Sequence, residues 1–396
     1  MRESLIKSES TQSNGLKVSE SCNKMAAFHK QMAIPNNVFS PIIAMNVPVK
    51  DIIRVTNLPR FTADITPDST CLQTSFFSKN LPTTLLPDWH IQEILPLQLA
   101  FPLAAKAEQA WVEGYQSIRH WREKELHLPL WIIHWWLRVG LLQICRSKWI
   151  EGIQNLKLAK AAIEGDSVAE TNAYLVETGI EQIGWGVQLD GYAREGAMAS
   201  IDIVALLGNG WLNDRHMDAL YAGLKHRVSQ SPHSDKIHIG TLSAFQALLR
   251  GRWENYGKTF LAPFRSLWNL GQLLHDRSIE KLYFPIHAYN NHFQAVCIDS
   301  INRHIFYGCG LDWAMPKLNR NSLDRWLCYH GFESPKITTL PHPVQDDSYS
   351  CGWISLSITE HDIFGDKLWT SDRKVAYKLD KIESLLESHF QVRIMA

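Results

Sequence analysis

The sequence predicts an α/β (α+β) fold preceded by a helical region and a polar N-terminal tail. Three observations carry that expectation. From about residue 181, strand-like runs, glycines and short helices alternate, which is the texture of a mixed domain. Between about 76 and 180, apolar residues recur at helical spacings instead. Residues 1 to about 75 are rich in Ser, Asn, Thr, Lys and Pro, with Pro35, Pro41, Pro48, Pro59 and Pro67 as punctuation; this composition predicts a disordered tail. A chain of 396 residues has room for two domains and such a tail.

Composition narrows the function. Lys and Arg number 40, as do Asp and Glu, so no net charge argues for nucleic acid or an anionic membrane as a partner. The 7 cysteines are scattered and include no CxxC pair, which predicts a reducing compartment and no structural zinc. Met1–Glu20 lacks the apolar core of a secretory signal. The most apolar run, 128–144, is too short to span a bilayer and carries His134 and Arg138, so a buried helix is expected there.

Taken in order, Trp111, Tyr115, Ile118 and Trp121 share one face at steps of three and four, predicting a helix. Leu128-Pro129-Leu130 opens a second, with Pro129 in the first turn, where its missing N–H costs little. A third runs from Ile150 to Ala162 and stops at Gly165-Asp166. Beyond 181, Asn213 or Asp214 caps a helix striped by Met217, Leu220, Tyr221 and Leu224. Residues 282–288, 292–299 and 304–307 read as strands, the last two joined by a tight turn; 337–340 reads as another. Helices are expected over 323–332 and 372–390.

One stretch carries chemistry: Gln345-Asp346-Asp347-Ser348-Tyr349-Ser350-Cys351-Gly352. A free Cys is commonly a small core hydrophobe. A nearby His and a helix N-terminus, however, both favour the thiolate, the nucleophilic form. His292 heads a strand and is the candidate base. A Gln345 amide and the N–H of Cys351 are the donors an oxyanion would need. A hairpin turning near 301 brings residues 309–311 beside His292, so a carboxylate that orients the imidazole belongs there. The residues present are Gly308-Cys309-Gly310-Leu311-Asp312.

With Trp211-Leu212-Asn213-Asp214, His292-Phe293 on a strand ending in Ile298-Asp299, the six-residue step from Gln345 to Cys351, and Tyr349-Ser350-Cys351-Gly352, residues 181–396 resemble the SUMO/sentrin-specific (Ulp-type) cysteine proteases. The resemblance implies a papain-like domain after a helical accessory region over 76–180. Cys351 would open a central helix, His292 would be its base, and Gln345 would serve the oxyanion hole. Trp211 and Phe293 would wall a narrow tunnel for the Gly-Gly tail of a ubiquitin-like modifier such as SUMO. Only glycine lets a backbone lie so close between aromatic walls. No metal or cofactor is implied.

Three departures accompany it. Phe293 stands where the family usually has Trp. Cys309 stands at the acidic position, and a thiol is a weak acceptor; Asp312 substitutes if its loop bends back. Ile354, Leu356 and Ile358 alternate with polar residues, a strand period, whereas the resemblance and the chemistry call for a helix. Two further readings stay open: a non-catalytic module that grips ubiquitin-like proteins, and a Cys/His acyltransferase.

Overall fold

The computed structural model describes residues 25–38, 40–62, 76–249, 262–289 and 291–395. The chain forms two compact units, Met1–Val47 with Asp51–Ser147, and Pro48–Lys50 with Lys148–Ala396. Of the stretch expected as a tail, 1–24 and 63–75 lie outside the described residues. Residues 25–32 are helical, and Phe28, Met32, Ile43 and Ile52 are buried.

The first unit contains helix α1 (Leu97–Val112) and the start of α2 (Trp131–Ala162), with the boundary at Ser147/Lys148 falling inside α2. It also holds a small antiparallel sheet of Phe77–Ser78, Ser117–Arg119 and His127–Pro129, in which Ile118 pairs with Phe77 and Leu128. Two helical expectations are corrected here. The Trp111–Trp121 stripe is not one helix: α1 stops at Val112, Gly114 takes φ +89, and Ile118 lies in a strand. Leu128-Pro129 likewise ends a strand, and α2 begins at Trp131. None of the described helices is long and apolar enough to cross a membrane.

In the second unit, α3 (Ser167–Gln182) starts at Asp166, whose Oδ1 accepts the N–H groups of Val168 and Ala169. Helix α4 (Asp214–Ser229) starts at Asn213, whose side chain accepts from the His216 N–H; His216 Nδ1 in return accepts the Asn213 N–H. A five-stranded sheet follows, β1 (Ile237–Ile239), β2 (Lys281–Ala288), β3 (His292–Asp299), β4 (His304–Gly308) and β5 (Lys336–Thr339), in spatial order β5-β4-β3-β2-β1. The central pairs are antiparallel and the two edge pairs parallel.

Alternation sorts the sheet's faces. Leu282, Phe284 and Ile286 of β2, with Val296 and Ile298 of β3, join one apolar core. Its other members come from α5 (Leu242–Leu249), α6 (Ala262–His275) and α7 (Lys317–Tyr329), including Phe245, Leu267 and Trp326. The opposite face receives α8 (Cys351–Phe364): Lys281 Nζ reaches Asp362 at 3.1 Å, Tyr283 Oη donates to the same carboxylate, and a Cβ on Gly308 would strike Ile358. Helix α9 (Lys374–Met395) backs α8, with Lys381 Nζ 2.7 Å from buried Glu360 and Tyr377 Oη donating to it at 2.6 Å. The mixed α/β texture read from residue 181 onward lies in the second unit, which also takes in the end of α2 and all of α3.

Candidate active site

Two backbone features deliver the reactive side chains. Antiparallel pairing of β3 with β4, in register Ala295 to Gly308, returns the chain to His292 at Cys309. The turn between them is held by Asp299, whose Oδ1 accepts the N–H groups of Ile301 and Asn302 at 2.9 and 2.8 Å. The second feature is the start of α8. Asp347 Oδ1 accepts from the N–H groups of Tyr349 (3.0 Å) and Ser350 (2.8 Å), while Ser350 Oγ donates to Oδ2 at 2.7 Å. The carboxylate thereby wraps the turn leading into the helix. Cys351 is the first helical residue and is 6% exposed. Gly352 follows because a Cβ there would lie 2.8 Å from Met217 Sδ and 2.9 Å from Leu212 Cδ1.

The end of β3 that carries His292 packs against the start of α8. The main-chain N–H groups of Phe293, beside His292, and of Gly352 act on the Cys351 sulfur and draw its pKa down. Burial is stronger, and the nearby Asp347 charge adds to it, so the thiol is held above its ordinary value. His292 is also buried. Burial first, then the neighbouring His287, lower its pKa to about 4. The resting pair is therefore a thiol and a neutral imidazole.

His292 Nε2 lies 3.1 Å from Cys309 Sγ. Among the described residues no carboxylate is hydrogen-bonded to His292. Asp312 sits elsewhere: its N–H closes a turn onto Cys309 O at 3.0 Å, its φ is +55, and its Oδ1 meets His342 Nε2 at 2.6 Å. The loop does not give this carboxylate to His292. Gln345 is tied by its N–H to Gly310 O at 2.7 Å, beside Cys309. Its amide Nε2 donates to Asp347 O at 2.7 Å, and its Oε1 is buried without a partner among the described residues. Phe293 is buried and stacks on His287, with ring centroids 5.0 Å apart. Trp211 stands 54% exposed, next to Leu212 at Gly352.

Three contributors escaped the sequence reading. Trp313, 43% exposed, lies over the imidazole with centroids 5.2 Å apart; its carbonyl accepts from buried Gln294, and Tyr289 packs edge-on against its ring. Asp347 was visible as an Asp three residues before a helix-opening Ser, the spacing of a side-chain-bonded turn. Lys378 of α9 donates to Gly208 O at 2.8 Å and lies over the rings of Tyr349 and Trp353, on either side of Cys351.

A buried thiol at a helix N-terminus, an imidazole on the adjoining strand and a glutamine at the same turn define the layout of a thiol acyl-transfer site. Solved structures similar to this chain include the C-terminal Ulp1 protease domain in complex with Smt3, the yeast ortholog of SUMO, at 16% identity and TM-score 0.43, covering 55% of this chain and 94% of that one. Xanthomonas campestris effector XopD bound to ubiquitin is similar at 19% identity and TM-score 0.32, over 44% of this chain and 91% of that one. The Ulp1-like SUMO protease catalytic domain of Chaetomium thermophilum is similar at 15% identity and TM-score 0.35, over 46% of this chain and 74% of that one. No family model and no curated protein matches the chain.

Proposed function

We propose that the second unit is a cysteine peptidase that hydrolyses the bond after the C-terminal Gly-Gly of a ubiquitin-like modifier, SUMO-like in kind. The observation that carries this reading is the convergence of Cys351 with the His292-Phe293 strand end at the start of α8. Cys351 attacks the carbonyl carbon, and its proton passes to the imidazole of His292. The tetrahedral oxyanion takes the N–H of Cys351 and a Gln345 amide hydrogen, once that amide turns from Asp347 O. His292 then protonates the leaving amine, and water hydrolyses the thioester. The modifier as substrate rests on the sequence resemblance, in which Trp211 and Phe293 flank the tail.

The test is covalent. A ubiquitin-like protein ending in Gly-Gly and a C-terminal electrophile labels the chain at Cys351, and Cys351→Ala abolishes the label. Equal labelling of that variant sinks the reading.

A second reading is favoured by the contact of His292 with Cys309. Without a carboxylate behind the imidazole, the domain is a module that grips ubiquitin-like proteins without cleaving them. It predicts measurable modifier binding and no turnover by the unaltered protein.

A further inference from the structure

His292 has two nitrogens, and the structure commits one. Nε2 is 3.1 Å from Cys309 Sγ, so if His292 is the base for Cys351, Nδ1 is the nitrogen that serves it. Trp313 covers the ring, and His287 is the titratable group acting on it from β2. A neutral imidazole carries one N–H and one lone pair. Facing a thiol, it has two arrangements. In the first, Cys309 S–H donates to a bare Nε2, and the ring proton sits on Nδ1. In the second, Nε2–H donates to sulfur, and Nδ1 is bare. A ring nitrogen is a good acceptor and sulfur a weak one. The first arrangement therefore uses the best acceptor present, and the second wastes it.

We propose that Cys309 is a positioning residue that fixes the Nδ1–H tautomer of His292 and so keeps Cys351 latent. This rests on the reading of Cys351 and His292 as nucleophile and base. In that tautomer Nδ1 presents a hydrogen to Cys351 and has no lone pair to receive one. The Cys351 proton must then leave to solvent, or the ring must first exchange tautomers. A carboxylate at position 309 only accepts, so it selects Nε2–H and leaves Nδ1 bare. The same carboxylate stabilises the imidazolium that forms when Nδ1 takes the thiol proton. Cys309 thus sets the protonation state of the site from behind the histidine, without touching substrate.

The test needs no substrate. Long-range proton–nitrogen spectra of the folded chain carrying nitrogen-15 histidine report which ring nitrogen holds the proton. The expected result for the unaltered protein is Nδ1–H at His292, assigned by its loss in His292→Ala. Cys309→Ser keeps a donor and retains that tautomer. Cys309→Asp moves the proton to Nε2 and raises the rate at which iodoacetamide modifies Cys351 at pH 7 by about tenfold or more, because a neighbouring carboxylate favours the imidazolium by about 1–3 pKa units. Nε2–H in the unaltered protein overturns the proposal, whether or not the Asp variant folds. So does a folded Cys309→Asp protein with unchanged tautomer and rate. A Cys309→Asp protein whose Cys351 becomes reactive, yet which ignores a Gly-Gly electrophile probe, upholds the proposal and sinks the peptidase reading.

Discussion

Removing the Asp347 carboxylate should both loosen the turn before Cys351 and make its thiol easier to ionise. Asp347 holds three donors, the N–H groups of Tyr349 and Ser350 and the Ser350 hydroxyl. Burial acts to raise its pKa, but the Ser350 and Tyr349 hydrogen bonds outweigh that and hold it below the ordinary carboxylate value. Asp347→Ala strands these donors beside fully buried Ser350. A lost cap of this kind costs about 1 kcal/mol, and stranded buried donors add about 1–3 kcal/mol. Because Asp347 is half-exposed and water reaches part of the site, we expect a total of about 2 kcal/mol. Asp347→Asn keeps an acceptor and loses only the charge, costing about 1 kcal/mol. At about 2–4 °C per kcal/mol for a domain of this size, the midpoints fall by about 4–8 °C and about 2–4 °C, read by calorimetry at pH 7.

The pH dependence has a definite sign. The folded carboxyl titrates below the unfolded one, so its stabilisation is present above the unfolded value of about 3.9 and is lost as pH falls through the folded value. The gap between the unaltered protein and Asp347→Asn should therefore narrow as the pH falls below the unfolded value and close once it has passed the folded one. Asp347 also raises the Cys351 pKa, so Asp347→Asn should speed alkylation of Cys351 at neutral pH while melting earlier. Equal costs for Asn and Ala, a gap that persists at low pH, or slower alkylation would each refute the reasoning.

Three further outcomes are expected. Alkylation of Cys351 in the unaltered protein should rise with pH to a midpoint above that of an ordinary thiol, about 8.5, since burial outweighs the N–H groups of Phe293 and Gly352; a lower midpoint counts against it. Burial, then Lys374, bring the Lys378 amine from 10.5 down to about 8, against the pull of Asp347. The unfolded chain then binds more protons between those values, so unfolding free energy should climb by up to about 3 kcal/mol from pH 8 to 10.5, and Lys378→Met should remove the climb; equal slopes in the two proteins contradict this. Gly352→Ala, whose Cβ meets Met217 and Leu212, should cost about 1–3 kcal/mol in urea unfolding, and a neutral effect would show that α8 does not sit so tightly on that segment.

How much of this was legible depends on how each segment is buried. The strand 292–299 was read to the residue although all eight of its residues are buried, because the polar turn after it and the paired run before it marked its ends. The period of α8 misled for the same reason. Cys351 through Glu360 are buried all round, so no face had to be polar, and the alternation of Ile354, Leu356 and Ile358 carries no information about helix or strand. The resemblance and the chemistry of a thiolate supplied what periodicity lacked. Trp111–Trp121 shows the opposite error. Its spacing fits a helix, but Gly114 with its positive φ turns the chain, and Ile118 is buried by strand partners rather than by a helix face.

The same logic explains why the sequence located the histidine's partner but not its identity. Hairpin register depends on counting residues across a turn, and that count placed 309–311 beside His292; the structure has Cys309 there. Whether Asp312 reached back depended on a single backbone torsion, which no pattern of side chains encodes. With φ at +55, a conformation Asp tolerates better than most residues, the chain turns after Cys309 and the carboxylate leans on His342. His342 is bonded on both ring nitrogens, to Leu340 O and to Asp312. Although burial opposes it, those contacts raise its pKa. The acid and its histidine partner thus form a pair of their own on the segment between β4 and Gln345. The carboxylate that could have served His292 is engaged in fixing the loop that carries Gln345, and the His292 imidazole is left with the Cys309 thiol.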